Sequence, residues 1–107
     1  NVHEGPQSIS KYNSINIEKG MILSNEPGFY KKNYFGIRIE NLVYVKQTND
    51  NLYFENLTLA PLEKDLINYT LLNKIEKDYL FKYHLHIYSQ YSSLLNKKER
   101  KWLATLI

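Results

Sequence analysis

The 107-residue sequence contains no cysteine, only three prolines and four glycines, and a single methionine and tryptophan. Without cysteine there is no disulfide framework, no thiolate nucleophile and no thiolate metal ligand. The glycines are not clustered, which excludes a loop of the kind that cradles phosphates, and no Gly-x-Ser-x-Gly elbow is present. No apolar run approaches the ~18 residues that a membrane helix needs, so no membrane role is expected. Internal repeats and low-complexity linkers are missing too. The first residue is Asn1, and no charged-then-apolar leader follows it. The expectation is therefore a piece of something longer. What is present is ordinary for a folded chain: 43% hydrophobic, 23% charged and a mean hydropathy of -0.50. That excludes wholesale disorder and leaves enough chain for one small core.

The net charge of +3 is unevenly placed. Residues 1–60 hold six basic and six acidic side chains; residues 61–107 hold eight basic and five acidic. The densest run, Lys97, Lys98, Arg100 and Lys101, is interrupted by Glu99. A nucleic-acid reader would carry a stronger stripe and a recognisable motif, so this run reads as a solvated helix face and no nucleic-acid partner is expected.

The chain changes character near Pro61. Before it lie short β-branched and aromatic runs punctuated by Gly and Pro; after it lie two helical patterns. Met21–Glu26 reads as a strand entered through a Glu18-Lys19-Gly20 turn and stopped by Pro27-Gly28. Gly36–Gln47 reads as one long strand with Ile37, Ile39, Val43 and Val45 on one face and Arg38, Glu40, Leu42 and Tyr44 on the other. Gly28–Phe35 between them reads as the long loop of a hairpin. After a polar turn at Thr48–Asn51, Leu52–Leu57 completes an antiparallel meander. Asn73 with Glu76, and Asn96 with Glu99, have the spacing of capping boxes. They predict one helix from about Lys74 to Leu95 and a second bearing Trp102, Leu103 and Leu106 on its apolar side. Ile75, Tyr79, Tyr83 and Ile87, extended by Tyr91, Leu94 and Leu95, form the core stripe of the first.

Few residues could carry chemistry. His84 and His86 stand two apart on a predicted helix, so they point about 200° apart and cannot share a metal; both read as surface or packing residues. Glu26 and Glu40 are more informative. A glutamate among Ile and Val is explained by a solvated outer face, by an ion pair with Arg38, or by metal coordination. If the two strands are hairpin neighbours the carboxylates could converge, and a hard divalent cation would compensate their charge. Arg38 could then hold a site carboxylate in place.

Three segments, in order, resemble the Xaa-Pro aminopeptidases (aminopeptidase P) of the pita-bread metallopeptidases. They are Asn1-Val2-His3-Glu4-Gly5-Pro6, Gly20-Met21-Ile22-Leu23-Ser24-Asn25-Glu26-Pro27-Gly28-Phe29-Tyr30 and Phe35-Gly36-Ile37-Arg38-Ile39-Glu40-Asn41-Leu42. Phe54-Glu55-Asn56-Leu57-Thr58, Tyr83-His84 and Trp102-Leu103 extend the likeness to nearly the whole chain. The resemblance implies an α+β fold, the C-terminal part of a pita-bread: antiparallel strands in residues 1–60, closing the catalytic domain, then a two-helix extension in residues 61–107. It implies that Glu26 binds one metal and contacts the nucleophilic water, that Glu40 bridges two metals, that His3 contacts substrate and assists proton transfer, and that Arg38 supports the metal carboxylates. Two divalent ions, typically manganese, and a peptide substrate with penultimate proline follow from the same likeness. The apolar C-terminal helices either cap the core or contribute to a homodimer, as in relatives, and a cytoplasmic location is expected.

The family centre also uses two aspartates and a histidine that precede the Val-His-Glu-Gly-Pro motif, so they would lie before Asn1. The 107 residues alone are therefore expected to be inactive. Two alternatives remain on sequence: a prolidase-type dipeptidase, which shares an Arg-Ile-Glu strand, and a non-catalytic pita-bread module that binds peptides or proteins.

Overall fold

The computed structural model describes residues 5–107. Its contacts fall into two units, one ending at Thr58 and one running from Leu59 to Ile107.

The first unit is antiparallel β. Its strands are β1 (Ile22–Asn25), β2 (Gly28–Lys31), β3 (Phe35–Arg38), β4 (Asn41–Thr48) and β5 (Asn51–Asn56). They form a three-stranded sheet in the order β1-β4-β5 and a two-stranded hairpin, β2-β3. The meander expected from sequence is thus the three-stranded sheet, with a hairpin inserted between its first two strands. Gly20, at φ 93, occupies a left-handed conformation at the turn into β1 that suits glycine. Asn33 (φ 58) and Asn49 (φ 52) take the left-handed positions in the β2–β3 and β4–β5 turns, which asparagine tolerates better than most residues. The core is Leu23, Val43 and Val45, with Ile17 and Met21 packed against it.

Two strand expectations need correction. Gly28–Phe35 is not a long loop, because β2 lies within it and only Lys32, Asn33 and Tyr34 connect β2 to β3. Gly36–Gln47 is not one strand either; it divides at Ile39–Glu40. Pro27 supplies the physical reason. The Ile39 N–H donates to the Pro27 carbonyl at 3.1 Å, but proline has no N–H to return the bond, so the ladder is interrupted there. The expected apolar face divides with it: Val43 and Val45 are buried, whereas Ile37 and Ile39 are exposed.

The second unit contains a short 3₁₀ turn (Lys64–Leu66) and the helices α1 (Lys74–Tyr91) and α2 (Lys97–Leu106). Both capping boxes are formed. The Asn73 and Asn96 side chains accept from the Glu76 and Glu99 N–H groups at 3.0 and 3.1 Å. The two glutamates accept in return from the Asn73 and Asn96 N–H groups at 2.9 and 2.8 Å. Helix α1 stops at Tyr91 rather than Leu95. Ser92 and Ser93 are weak helix formers, and Asn96 must be extended to cap α2. The core is Tyr83, Ile87 and Leu103, joined by Leu59, Leu62, Tyr88 and Leu95. The remainder of the expected stripe is exposed, including Ile75, Tyr79 and Leu94, and so is Trp102.

Candidate metal centre

The interrupted ladder is what assembles the site. Asn25 pairs with Asn41 at the end of β1, and Gly28 pairs with Arg38 at the start of β2. Both pairs lie on one register, so the two residues between them on each strand continue it. Pro27 stands opposite Ile39, consistent with their hydrogen bond, and Glu26 stands opposite Glu40. The Pro27–Ile39 position is of the hydrogen-bonded kind, which makes Glu26–Glu40 a non-hydrogen-bonded pair, the geometry in which facing side chains approach most closely.

The alternation of the ladder then places Glu26, Gly28, Tyr30, Gly36, Arg38 and Glu40 on one face. Two carboxylates directly opposite one another repel. Arg38 offsets that repulsion, with Nη1 3.8 Å from Glu26 Oε2 and Nη2 3.9 Å from Glu40 Oε2. At these separations the contacts are ion pairs rather than hydrogen bonds. Glu26 is half-buried, while Arg38 and Glu40 are exposed. A groove of about 1070 Å³ runs beside β1 to Glu26 and Pro27, with Gln7, Ser10 and Asn25 among its lining residues.

The donor set suits a hard divalent cation, which prefers carboxylate oxygen and would neutralise the facing charges. Two carboxylates are an incomplete set, and among the described residues no three His, Cys, Asp or Glu side chains gather to hold an ion. His3 lies outside the described residues. His84 is buried and His86 exposed, on α1. The His84 Nε2 accepts from the Leu62 N–H at 3.2 Å, and the Tyr83 hydroxyl donates to the Ala60 carbonyl at 2.8 Å. His84 is thus a packing histidine.

Sequence reading passed over Tyr30 and the two glycines. Their signal was the strict alternation of Gly28, Tyr30, Gly36 and Arg38 against Phe29, Phe35 and Ile37, which is visible once β2 is recognised as a strand.

A profile of the C-terminal region of peptidase M24 matches residues 50–106, and one of metallopeptidase family M24 matches residues 1–47. The chain belongs to metallopeptidase family M24. It is 41% identical to Aminopeptidase P2 of Arabidopsis thaliana over 96% of its own length and 16% of the relative's. Identity is 40% to a probable Xaa-Pro aminopeptidase P of Coprinopsis cinerea, over 96% of this chain and 19% of the relative. It is 41% to Xaa-Pro aminopeptidase 1 of Dictyostelium discoideum, over 100% and 19%. A crystal structure of X-prolyl aminopeptidase from Caenorhabditis elegans, described as a cytosolic enzyme with a di-nuclear active site, superposes with a TM-score of 0.83. It shares 34% identity with this chain, over 99% of this chain and 19% of the other. This M24 chain therefore has the α+β architecture of the C-terminal part of the pita-bread fold, and it spans less than a fifth of the length of these relatives.

Proposed function

We propose that these residues are the C-terminal part of an Xaa-Pro aminopeptidase, which releases the first residue from peptides whose second residue is proline. The observation that carries the proposal is the same-face pair of Glu26 and Glu40 joined by Arg38. The names of the relatives support the substrate class. Residues 1–60 close the catalytic domain and residues 61–107 form its helical extension.

In this reading Glu26 and Glu40 would help to hold two divalent ions, manganese by preference. When bound, such ions supply Lewis-acid polarisation of the scissile carbonyl and a water acidic enough to attack near neutral pH. Glu26 would act as general base, accepting a proton from the attacking water. His3 hydrogen-bonds the oxyanion that forms at the carbonyl and helps deliver a proton to the departing proline nitrogen. Arg38 keeps both carboxylates aligned. The groove beside β1 receives part of the peptide. A cytosolic enzyme and a homodimer belong to the same proposal. The C. elegans X-prolyl aminopeptidase, a cytosolic enzyme, supports the compartment, and the exposed apolar side chains Phe81 and Trp102 support the assembly.

The test is Glu40→Ala in the full-length protein, assayed with manganese on an Xaa-Pro tripeptide. Release of the first residue is expected to be abolished, and normal release would refute the role of Glu40. Cleavage of an Xaa-Pro dipeptide but not of the tripeptide by the unchanged protein would favour a prolidase. No cleavage of either would favour a binding module. The 107 residues alone are expected to release nothing, because two carboxylates do not make a two-metal centre.

A further inference from the structure

The face that carries the two glutamates also carries two glycines whose lack of a side chain is used. A Cβ built on Gly36 would fall 2.7 Å from Cδ1 and 3.1 Å from Cε1 of Tyr30. A Cβ built on Gly28 would fall 2.8 Å from the Tyr30 hydroxyl oxygen, 2.9 Å from its Cε2 and 2.8 Å from Cγ of Arg38. Real Cβ atoms do not come so close, so neither position accepts a methyl without displacing its neighbours. The Tyr30 ring therefore lies flat along the hairpin, its near edge over Gly36 and its hydroxyl over Gly28. The same small area over Gly28 is shared with the aliphatic stem of Arg38. The register explains the arrangement: Tyr30 is paired with Gly36 and Gly28 with Arg38, so each large side chain faces a glycine and both reach the space over Gly28.

We propose that Tyr30 is a positioning residue for the Glu26–Glu40 pair: its ring, laid on the floor made by Gly36 and Gly28, buttresses the Arg38 stem and sets the guanidinium between the two carboxylates. An arginine stem has several rotatable bonds, and two ion pairs at 3.8 and 3.9 Å on an exposed face do not by themselves fix it. A rigid ring against the stem removes part of that freedom. Side chains that orient metal ligands in this way affect both metal affinity and turnover. The proposal rests on the reading of Glu26 and Glu40 as metal ligands.

The test uses the full-length protein and four variants: Tyr30→Ala, Tyr30→Phe, Gly36→Ala and Glu40→Ala. Mn2+ affinity is followed by the electron paramagnetic resonance of the free ion, and kcat and KM are measured on alanyl-prolyl-alanine. Tyr30→Ala is expected to weaken Mn2+ binding and lower kcat by about tenfold or more, with KM within about twofold. Tyr30→Phe, which keeps the ring, returns both to within about threefold of the unchanged protein. Gly36→Ala keeps the tyrosine but lifts its ring, and behaves like Tyr30→Ala. If Tyr30→Ala does not fold, Gly36→Ala decides. Unchanged Mn2+ affinity and kcat in Tyr30→Ala or Gly36→Ala overturns the proposal, as does a Tyr30→Phe variant as impaired as Tyr30→Ala. Glu40→Ala separates the two readings. If it too is unchanged, the metal reading fails. If it is inactive while Gly36→Ala is unchanged, only the positioning role fails.

Discussion

Glu26 and Glu40 in the strand unit stand in contrast to the polar residues that cap and fill the helical unit. In the helical unit they meet partners close by: Asn73 with Glu76, Asn96 with Glu99, His84 with the Leu62 N–H, Tyr83 with the Ala60 carbonyl. Each contact satisfies a group that helix ends or burial would otherwise leave without a partner. In the strand unit Glu26 and Glu40 are set opposite one another, an arrangement that opposes folding. Arg38, ion-paired to both, offsets part of the repulsion. If Glu26 and Glu40 are the metal ligands proposed above, polar residues that stabilise the fold and polar residues held for chemistry are separable by substitution, and the two groups should respond in opposite senses.

Glu40→Gln tests this separation most severely. It removes one of two facing charges while keeping the size of the side chain. Activity in the full-length protein is expected to vanish, while the melting temperature of the metal-free protein stays the same or rises. A clear fall in that temperature would show that the pair stabilises the fold, and the contrast between the units would collapse. The next effect in size lies along the ladder itself. Val45 is 0% exposed and Ile37 is 44% exposed, although the two share a face of the sequence pattern. Val45→Ala is expected to cost about 2 kcal/mol in denaturant unfolding, and Ile37→Ala less than about 1 kcal/mol. Equal costs would mean that the hairpin end is as buried as the sheet end.

Sequence patterning carried the fold a long way for specific reasons. Capping boxes are local, fixed by a cap and its third neighbour, so both helix starts were readable without knowing anything about packing. The β4 strand carries a β-branched alternation, Val43 and Val45, that survives because one of its faces is buried. The hairpin β2–β3 has exposed residues throughout, so burial imposes no pattern on it, and the interruption at Pro27 depends on its cross-strand partner Ile39, well separated in the chain. The exposed ends of the α1 stripe illustrate the same limit: Ile75 and Tyr79 keep the spacing of Tyr83 and Ile87, but spacing alone does not report what lies opposite. Of the candidate site, Glu26, Glu40 and Arg38 stand out from the strand pattern, and the resemblance adds the roles expected of them. Tyr30 was not, because its place depends on the glycines facing it.

Substitutions in the helical unit should show the opposite signature to Glu40→Gln. Asn96→Ala removes the acceptor of both the Lys98 and Glu99 N–H groups, at 2.9 and 3.1 Å. It is expected to cost about 1 kcal/mol, as is Asn73→Ala at the start of α1. Both full-length variants should keep the kcat of the unchanged protein, because neither cap contributes to the Glu26–Glu40 face. Loss of turnover without loss of stability at either cap would break the division of roles.

The smallest effect involves a single proton. Burial lowers the pKa of His84 below the ordinary histidine value of 6.5, and its Nε2 is already an acceptor for the Leu62 N–H. Well above pH 6.5 the imidazole is neutral in both the folded and unfolded chains, so folding is linked to no proton at this site. As the pH falls below 6.5 the unfolded chain takes up a proton that the folded chain resists, and stability declines until the folded pKa is passed. Protonation of Nε2 would also turn the Leu62 acceptor into a second donor. The helical unit should therefore lose stability on mild acidification, and His84→Gln, which cannot ionise, should flatten that part of the pH profile measured by thermal melts between neutral and mildly acidic pH. An identical decline in the glutamine variant would assign the pH dependence to other groups and leave His84 as a packing residue without a proton-linked role.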